Sequence, residues 1–198
     1  MSLSAVLWAD SADQAAAARA HPFVRGLADG SLSLQVCQGY VAQDAVFLEA
    51  FARAYALGLA RSRDLPTLEA FADLVAGVLV ELRLHAAYAE RWETAAAAEP
   101  LPATLAYRGL LQRLGTAPYA DALGCLHVVE RVYLEAWRSA LPGAPAYAEL
   151  VEHWTTPGFA AYVDGLGAAS DRAGAPDGAL VAEVLRLEAA FWAMAGAA

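Results

Sequence analysis

Apolar residues recur at three- and four-residue steps along most of the chain and never alternate with polar ones over the length of a strand. That is the period of α-helices buried on one face. The stretch 33–62 is the clearest case: Leu34, Cys37, Val41, Ala45, Leu48 and Ala52 form one continuous stripe. The pattern predicts an all-α chain with helices over 10–20, 33–62, 65–95, 102–115, 117–141, 144–153, 157–172 and 177–196. Several interruptions have a backbone cause. His21-Pro22 and Asp29-Gly30 break the start, because the residue before proline avoids the α region and glycine tolerates positive φ. Glu99-Pro100-Leu101-Pro102 separates two halves, Leu141-Pro142-Gly143 ends a long helix, and residues 174–178 precede the last one. Ala95 to Ala98 reads as helix rather than linker, since alanine favours helix. One domain, 1–198, is expected.

A second stripe on 33–62 changes the picture from fold to chemistry. Tyr40, Asp44, Phe47 and Phe51 follow the same spacing, so Asp44 has aromatic residues one turn to either side. An ionised carboxylate buried without a partner is costly, so such a group is paired, hydrogen-bonded or functional. Three further positions repeat the oddity. Glu130 shares a face with Tyr133 and Trp137, with His127 one turn before. Glu188 has Leu185 and Phe191 one turn away. Glu81 and His85 stand four apart. By contrast, Glu135 beside Arg131 and Arg138 reads as a solvated ion-pairing face, and Cys125 as a small core residue.

Composition removes some classes of function. Hydrophobic residues make up 59% of the chain, much of that alanine, yet no apolar run approaches the roughly 18 residues of a membrane span. A basic region followed by an apolar one is not visible at the N-terminus, so no export signal is expected and the cytoplasm is the expected compartment. The net charge is −9, and the 13 basic residues are all arginine and scattered, which argues against nucleic-acid binding. Cys37 and Cys125, far apart, suggest neither a disulfide framework nor a zinc site.

Four sets of residues, in order along the chain, resemble the TenA/thiaminase II family: His21-Pro22-Phe23; Asp29-Gly30-Ser31-Leu32; Tyr40, Gln43, Asp44, Phe47 and Leu48; and Leu187, Glu188, Phe191, Trp192 and Met194. The resemblance implies a heme-oxygenase-like helical bundle without heme, assembled as a homodimer or homotetramer, acting in thiamin salvage with no cofactor. The implied reaction is hydrolytic loss of an amine or thiazolium from the methylene of an aminopyrimidine. The chain is similar to the branch of the family that carries a glutamate in place of a nucleophilic cysteine, through Glu130-Arg131-Val132-Tyr133. The resemblance makes Glu188 the ring-protonating group, Glu130 the nucleophile or the base for water, and Asp44 the group that orients the pyrimidine. Phe47, Tyr107, Tyr133, Trp154 and Phe191 would line the pocket. Phe47 and Trp154 stand where the family has tyrosines.

Two other readings use the same residues. A metal-dependent oxidase of this fold would take ligands from Glu81, His85, His127 and Glu130, whose i,i+4 and i,i+3 spacings suit facing helices. A non-catalytic protein would bind a small molecule in the same pocket without turning it over.

Overall fold

The computed structural model describes residues 1–93 and 99–194. Among these the chain forms ten helices: α1 (Leu3–Asp10), α2 (Ala12–Ala20), α3 (Pro22–Asp29), α4 (Leu34–Arg61), α5 (Leu65–Arg91), α6 (Pro102–Thr116), α7 (Tyr119–Ser139), α8 (Ala148–His153), α9 (Pro157–Ala173) and α10 (Gly178–Met194). No strand occurs among the described residues.

The long helices lie where the periodicity puts them; the differences are at the start. The expected helix 10–20 is α2, which begins at Ala12 after Ser11, and α1 and α3 were not expected. The residues read as breaks are the caps of α3. His21 precedes it in an extended conformation, its Nδ1 accepting from the Phe23 amide. Pro22 takes the first helical position, and Gly30 closes the helix at φ +82°. The helix expected over 144–153 begins only at Ala148. The one expected over 65–95 ends at Arg91; its last two positions, with Ala95 to Ala98, lie outside the described residues, as do the last two of 177–196.

Side-chain caps set the other starts. Ser33 accepts from the Val36 amide before α4, Asp64 from Thr67 before α5, and Thr156 from Phe159 before α9. α4 is the central element and packs on α5 and α6, while α7 packs on α9, α2 and α10, and α10 also meets α6. Gly58 lets α4 and α5 approach closely: a Cβ there would lie 2.4 Å from the Phe71 ring. Trp137, Trp192, Tyr40, Tyr55 and Tyr107 are among the largest fully buried side chains. They concentrate where α4, α6, α7 and α10 converge, which is also where the acidic side chains of interest point.

Candidate active site

Eight residues singled out from the sequence line one inner cavity. Asp44 and Phe47 come from α4, Tyr107 from α6, Glu130 and Tyr133 from α7, Trp154 from the turn after α8, and Glu188 and Phe191 from α10. Tyr40, Phe51 and Glu81 complete much of the wall. The inner cavity measures about 30 Å³. A larger one of about 340 Å³ lies beside it, between α5 and the α8–α9 region, and Glu81, Glu130 and Trp154 border both.

The aromatic residues fall into two groups. Phe47 stands 4.8 Å from Tyr107 and 5.3 Å from Phe191, ring centre to ring centre. Tyr133 instead meets Trp154 edge-on at 5.3 Å and stacks on Trp192 at 5.8 Å. Tyr40 joins the groups, edge to Phe191 and stacked on Trp192. Such walls suit a flat aromatic ligand.

Each carboxyl is held differently. Glu188 accepts from Tyr107 Oη at 2.9 Å on one oxygen and from Trp192 Nε1 at 2.8 Å on the other. Glu130 is held through Oε1 alone, by Tyr162 at 2.5 Å and Tyr55 at 3.1 Å. Asp44 Oδ2 lies 2.8 Å from His85 Nε2. Burial pushes Glu130 and Glu188 up to about 7 each; the hydrogen bonds from Tyr162 and Tyr55, and from Tyr107 and Trp192, pull the other way, and neighbouring carboxylates push further up. Glu81 is raised well above the usual carboxylate range by burial, then by Glu130 and Asp44. Two carboxyls raised towards neutral pH by burial, on one cavity, have the properties that acid–base catalysis requires.

Other expectations fare differently. His127 is buried but faces away, lining a depression with Ser4, Trp8, Arg131 and Asp164. His85 already spends Nε2 on Asp44 and Nδ1 on the Glu81 carbonyl oxygen, 2.9 Å away. The metal set of Glu81, His85, His127 and Glu130 is therefore not assembled, and no group of three or more His, Cys, Asp or Glu among the described residues is arranged to hold a metal ion. Cys125 is fully buried, its thiol pushed up to about 12 by burial and then by nearby acidic groups, so it behaves as core. Glu135 pairs with Arg131 and Arg138, as read from the sequence. Gln43 serves the fold: it accepts from the Leu101 amide and donates to the Glu99 carbonyl, pinning the start of α6.

Sequence reasoning missed Tyr55, Tyr162 and the pairing of His85 with Asp44. Tyr55 had a signal, since it stands four residues beyond Phe51 on the same stripe as Asp44. Tyr162 had none that was local.

This all-α bundle, with an aromatic, carboxyl-bearing cavity where its long helices converge, has the heme-oxygenase-like fold. A TenA homologue from Pyrococcus furiosus has this fold, superposing with a TM-score of 0.85 at 19% identity over 98% of this chain and 99% of its own. The sequence profile of the TENA/THI-4/PQQC family matches residues 9–197, and the chain belongs to that family. The aminopyrimidine aminohydrolase of Halalkalibacterium halodurans is 33% identical over 162 residues, covering 74% of this chain and 70% of that protein. The Bacillus subtilis aminopyrimidine aminohydrolase is 31% identical over 140 residues, covering 66% of this chain and 59% of that protein.

Proposed function

We propose that this protein is a thiamin-salvage hydrolase that cleaves the methylene C–N bond of an aminomethylpyrimidine or its formylated derivative, giving hydroxymethylpyrimidine. The observation that carries the reading is the facing of Glu130, Glu188 and Asp44 onto one aromatic-lined cavity, two of them with pKa values of about 7. The names of the relatives supply the substrate class.

For the primary amine the reaction adds water and releases ammonia. Asp44 Oδ1 receives no bond from any described donor, and that oxygen accepts from the exocyclic amino group while His85 fixes Oδ2. Phe47, Tyr107 and Phe191 pack along one side of the ring, with Tyr133 and Trp154 on the other wall. Glu188, protonated, gives its proton to a ring nitrogen, which draws electrons from the methylene and weakens its bond to the amine. Glu130, ionised, takes a proton from the attacking water, whose oxygen bonds to the methylene carbon as the C–N bond breaks; Glu130 passes that proton to the departing nitrogen, which leaves as ammonia, and the ring nitrogen returns its proton to Glu188. Substrate reaches the site past Glu81, Glu130 and Trp154, the residues common to both cavities.

The test is direct. Purified protein incubated with aminomethylpyrimidine, its formylated derivative and thiamin is assayed for hydroxymethylpyrimidine and for ammonia. Tight binding with no product from any of the three overturns the reading in favour of a binding protein. Exposed Leu68, Leu79 and Val80 on α5 support assembly with like chains, as a homodimer or homotetramer. Light scattering reads that state, and a monomer at micromolar concentration refutes it. No described helix is long and apolar enough to cross a membrane.

A further inference from the structure

Glu130 Oε1, Tyr55 Oη and Tyr162 Oη form a triangle. Its sides are 3.1 Å from Tyr55 to Glu130, 2.5 Å from Tyr162 to Glu130 and 2.6 Å between the two phenols. Each phenol carries one proton. Two oxygens 2.6 Å apart need a proton between them to be a bond rather than a clash of lone pairs. With Glu130 ionised, two protons serve the two short sides: Tyr55 donates to Tyr162, and Tyr162 to Oε1. The long side is left without a hydrogen. With Glu130 neutral, its own proton completes that side. The same arrangement thus serves both protonation states, and the short Tyr162 contact has the length of a charge-assisted bond to a carboxylate.

The surroundings offer Glu130 little else. It faces Asp44 and Tyr55 from α4, Glu81 from α5, Tyr107 from α6, Glu188 from α10 and Tyr162 from α9. Three of these are acids and none is a cation. Oε2 receives no bond from any described donor, and Glu130 borders the inner cavity.

We propose that Tyr162, backed by Tyr55, is the positioning residue for Glu130: the pair anchors Oε1, leaves Oε2 to the reacting water, and stabilises the ionised carboxylate so that it can act as a base. The inference rests on the role of Glu130 proposed above. Tyr162 belongs to α9 and lines the outer cavity as well, so it ties the base to the wall past which substrate arrives. Burial raises Glu130, and the phenols pull it back down, Tyr162 by its bond to Oε1 and Tyr55 through its 2.6 Å contact with Tyr162.

The test reads the carboxyl itself. Infrared difference spectra of the wild type against Glu130→Gln, without substrate, follow the Glu130 carbonyl band through a pH titration. The midpoint is expected near 7 in the wild type. Loss of one bond to a charged group moves it up by about one pH unit in Tyr162→Phe. Tyr55→Phe is expected to move it less, in the same direction. The acidic limb of the kcat/KM profile moves with it, with kcat reduced more than KM is raised. A Tyr162→Phe protein with a wild-type circular dichroism spectrum and an unmoved midpoint overturns the inference. If Tyr162→Phe does not fold, an unmoved midpoint in Tyr55→Phe does the same. Failure of the wild type to release product refutes the function instead, and the titration remains readable without it.

Discussion

His85 Nε2 stands 2.8 Å from Asp44 Oδ2, with both side chains buried, and its other ring nitrogen lies 2.9 Å from the Glu81 carbonyl oxygen. A carbonyl oxygen only accepts, so Nδ1 carries a hydrogen, and one further proton is shared between Nε2 and the carboxylate. Burial alone lowers the imidazole pKa. The hydrogen bond and charge of Asp44, with the bond to Glu81, outweigh it, and the net shift is upward. The pair therefore favours the imidazolium form of His85, and Asp44 is pinned through Oδ2, while Oδ1 receives no bond from any described donor.

Removing His85 should expose how much the fold depends on that pairing. His85→Leu strands a buried carboxylate and is expected to cost about 3–5 kcal/mol. His85→Gln keeps a donor and is expected to cost less than half as much. Urea denaturation at pH 7 measures both, and equal stabilities for the two variants contradict the assignment.

Glu188→Gln keeps the shape of the site and removes the acid proposed for it. The expected result is a fall in kcat of about 10² to 10⁴. The dissociation constant for hydroxymethylpyrimidine should change only a few-fold, because Tyr107 and Trp192 still pack against the side chain. Steady-state kinetics and calorimetry together decide this.

The rate should peak in a narrow range of pH. In the proposed mechanism Glu188 works protonated and Glu130 ionised, and burial brings both to about 7. The profile of kcat/KM is expected to be bell-shaped with its maximum close to 7, its limbs belonging to the coupled pair rather than to either residue. A rate that rises steadily from pH 6 to pH 9 refutes this division of roles.

Stability should fall as pH rises through the same range. A carboxyl whose folded pKa lies above its unfolded value binds its proton more tightly when folded. Its contribution is fully present below about 4.5 and is lost as pH climbs towards 7. At about 1.4 kcal/mol per tenfold, each of Glu130 and Glu188 weakens folding by up to about 3 kcal/mol across that window. His85, also raised, acts with the same sign at higher pH, from its unfolded value upward. Chemical denaturation at pH 5 and pH 8 should give the lower value at pH 8, and the Gln variants of both glutamates should flatten the difference.

Helix contact can be tested apart from chemistry. Gly58→Ala puts a methyl 2.4 Å from the Phe71 ring, so α4 and α5 must part or the ring must turn. A loss of about 1–3 kcal/mol is expected. A thermal midpoint equal to the wild type contradicts the close approach.

Much of the site was legible before the structure. A carboxylate flanked by aromatics at helical spacing marked Asp44, Glu130 and Glu188, and all three line the inner cavity. The missed helices α1 and α3 are short, eight residues each, with too few turns for a stripe to stand out, and the signals read as breaks were the caps of α3. His127 misled because i,i+3 spacing from Glu130 states only that two residues share part of a helix surface. It turns towards α9, against Gly167, and not into the cavity.

The sequence by itself determined the helical class, the long elements and which face of α4, α7 and α10 carries the acids, because helix periodicity is a property of neighbours three and four residues apart. Only the tertiary structure decided who meets whom across helices. Asp44 and His85 are 41 residues apart, Glu130 and Tyr55 75, and Glu188 and Tyr107 81. No local pattern encodes such pairs. They follow from how large side chains such as Trp137 and Trp192 fill the space between helices, and that packing brings the phenols and the imidazole to the carboxyls.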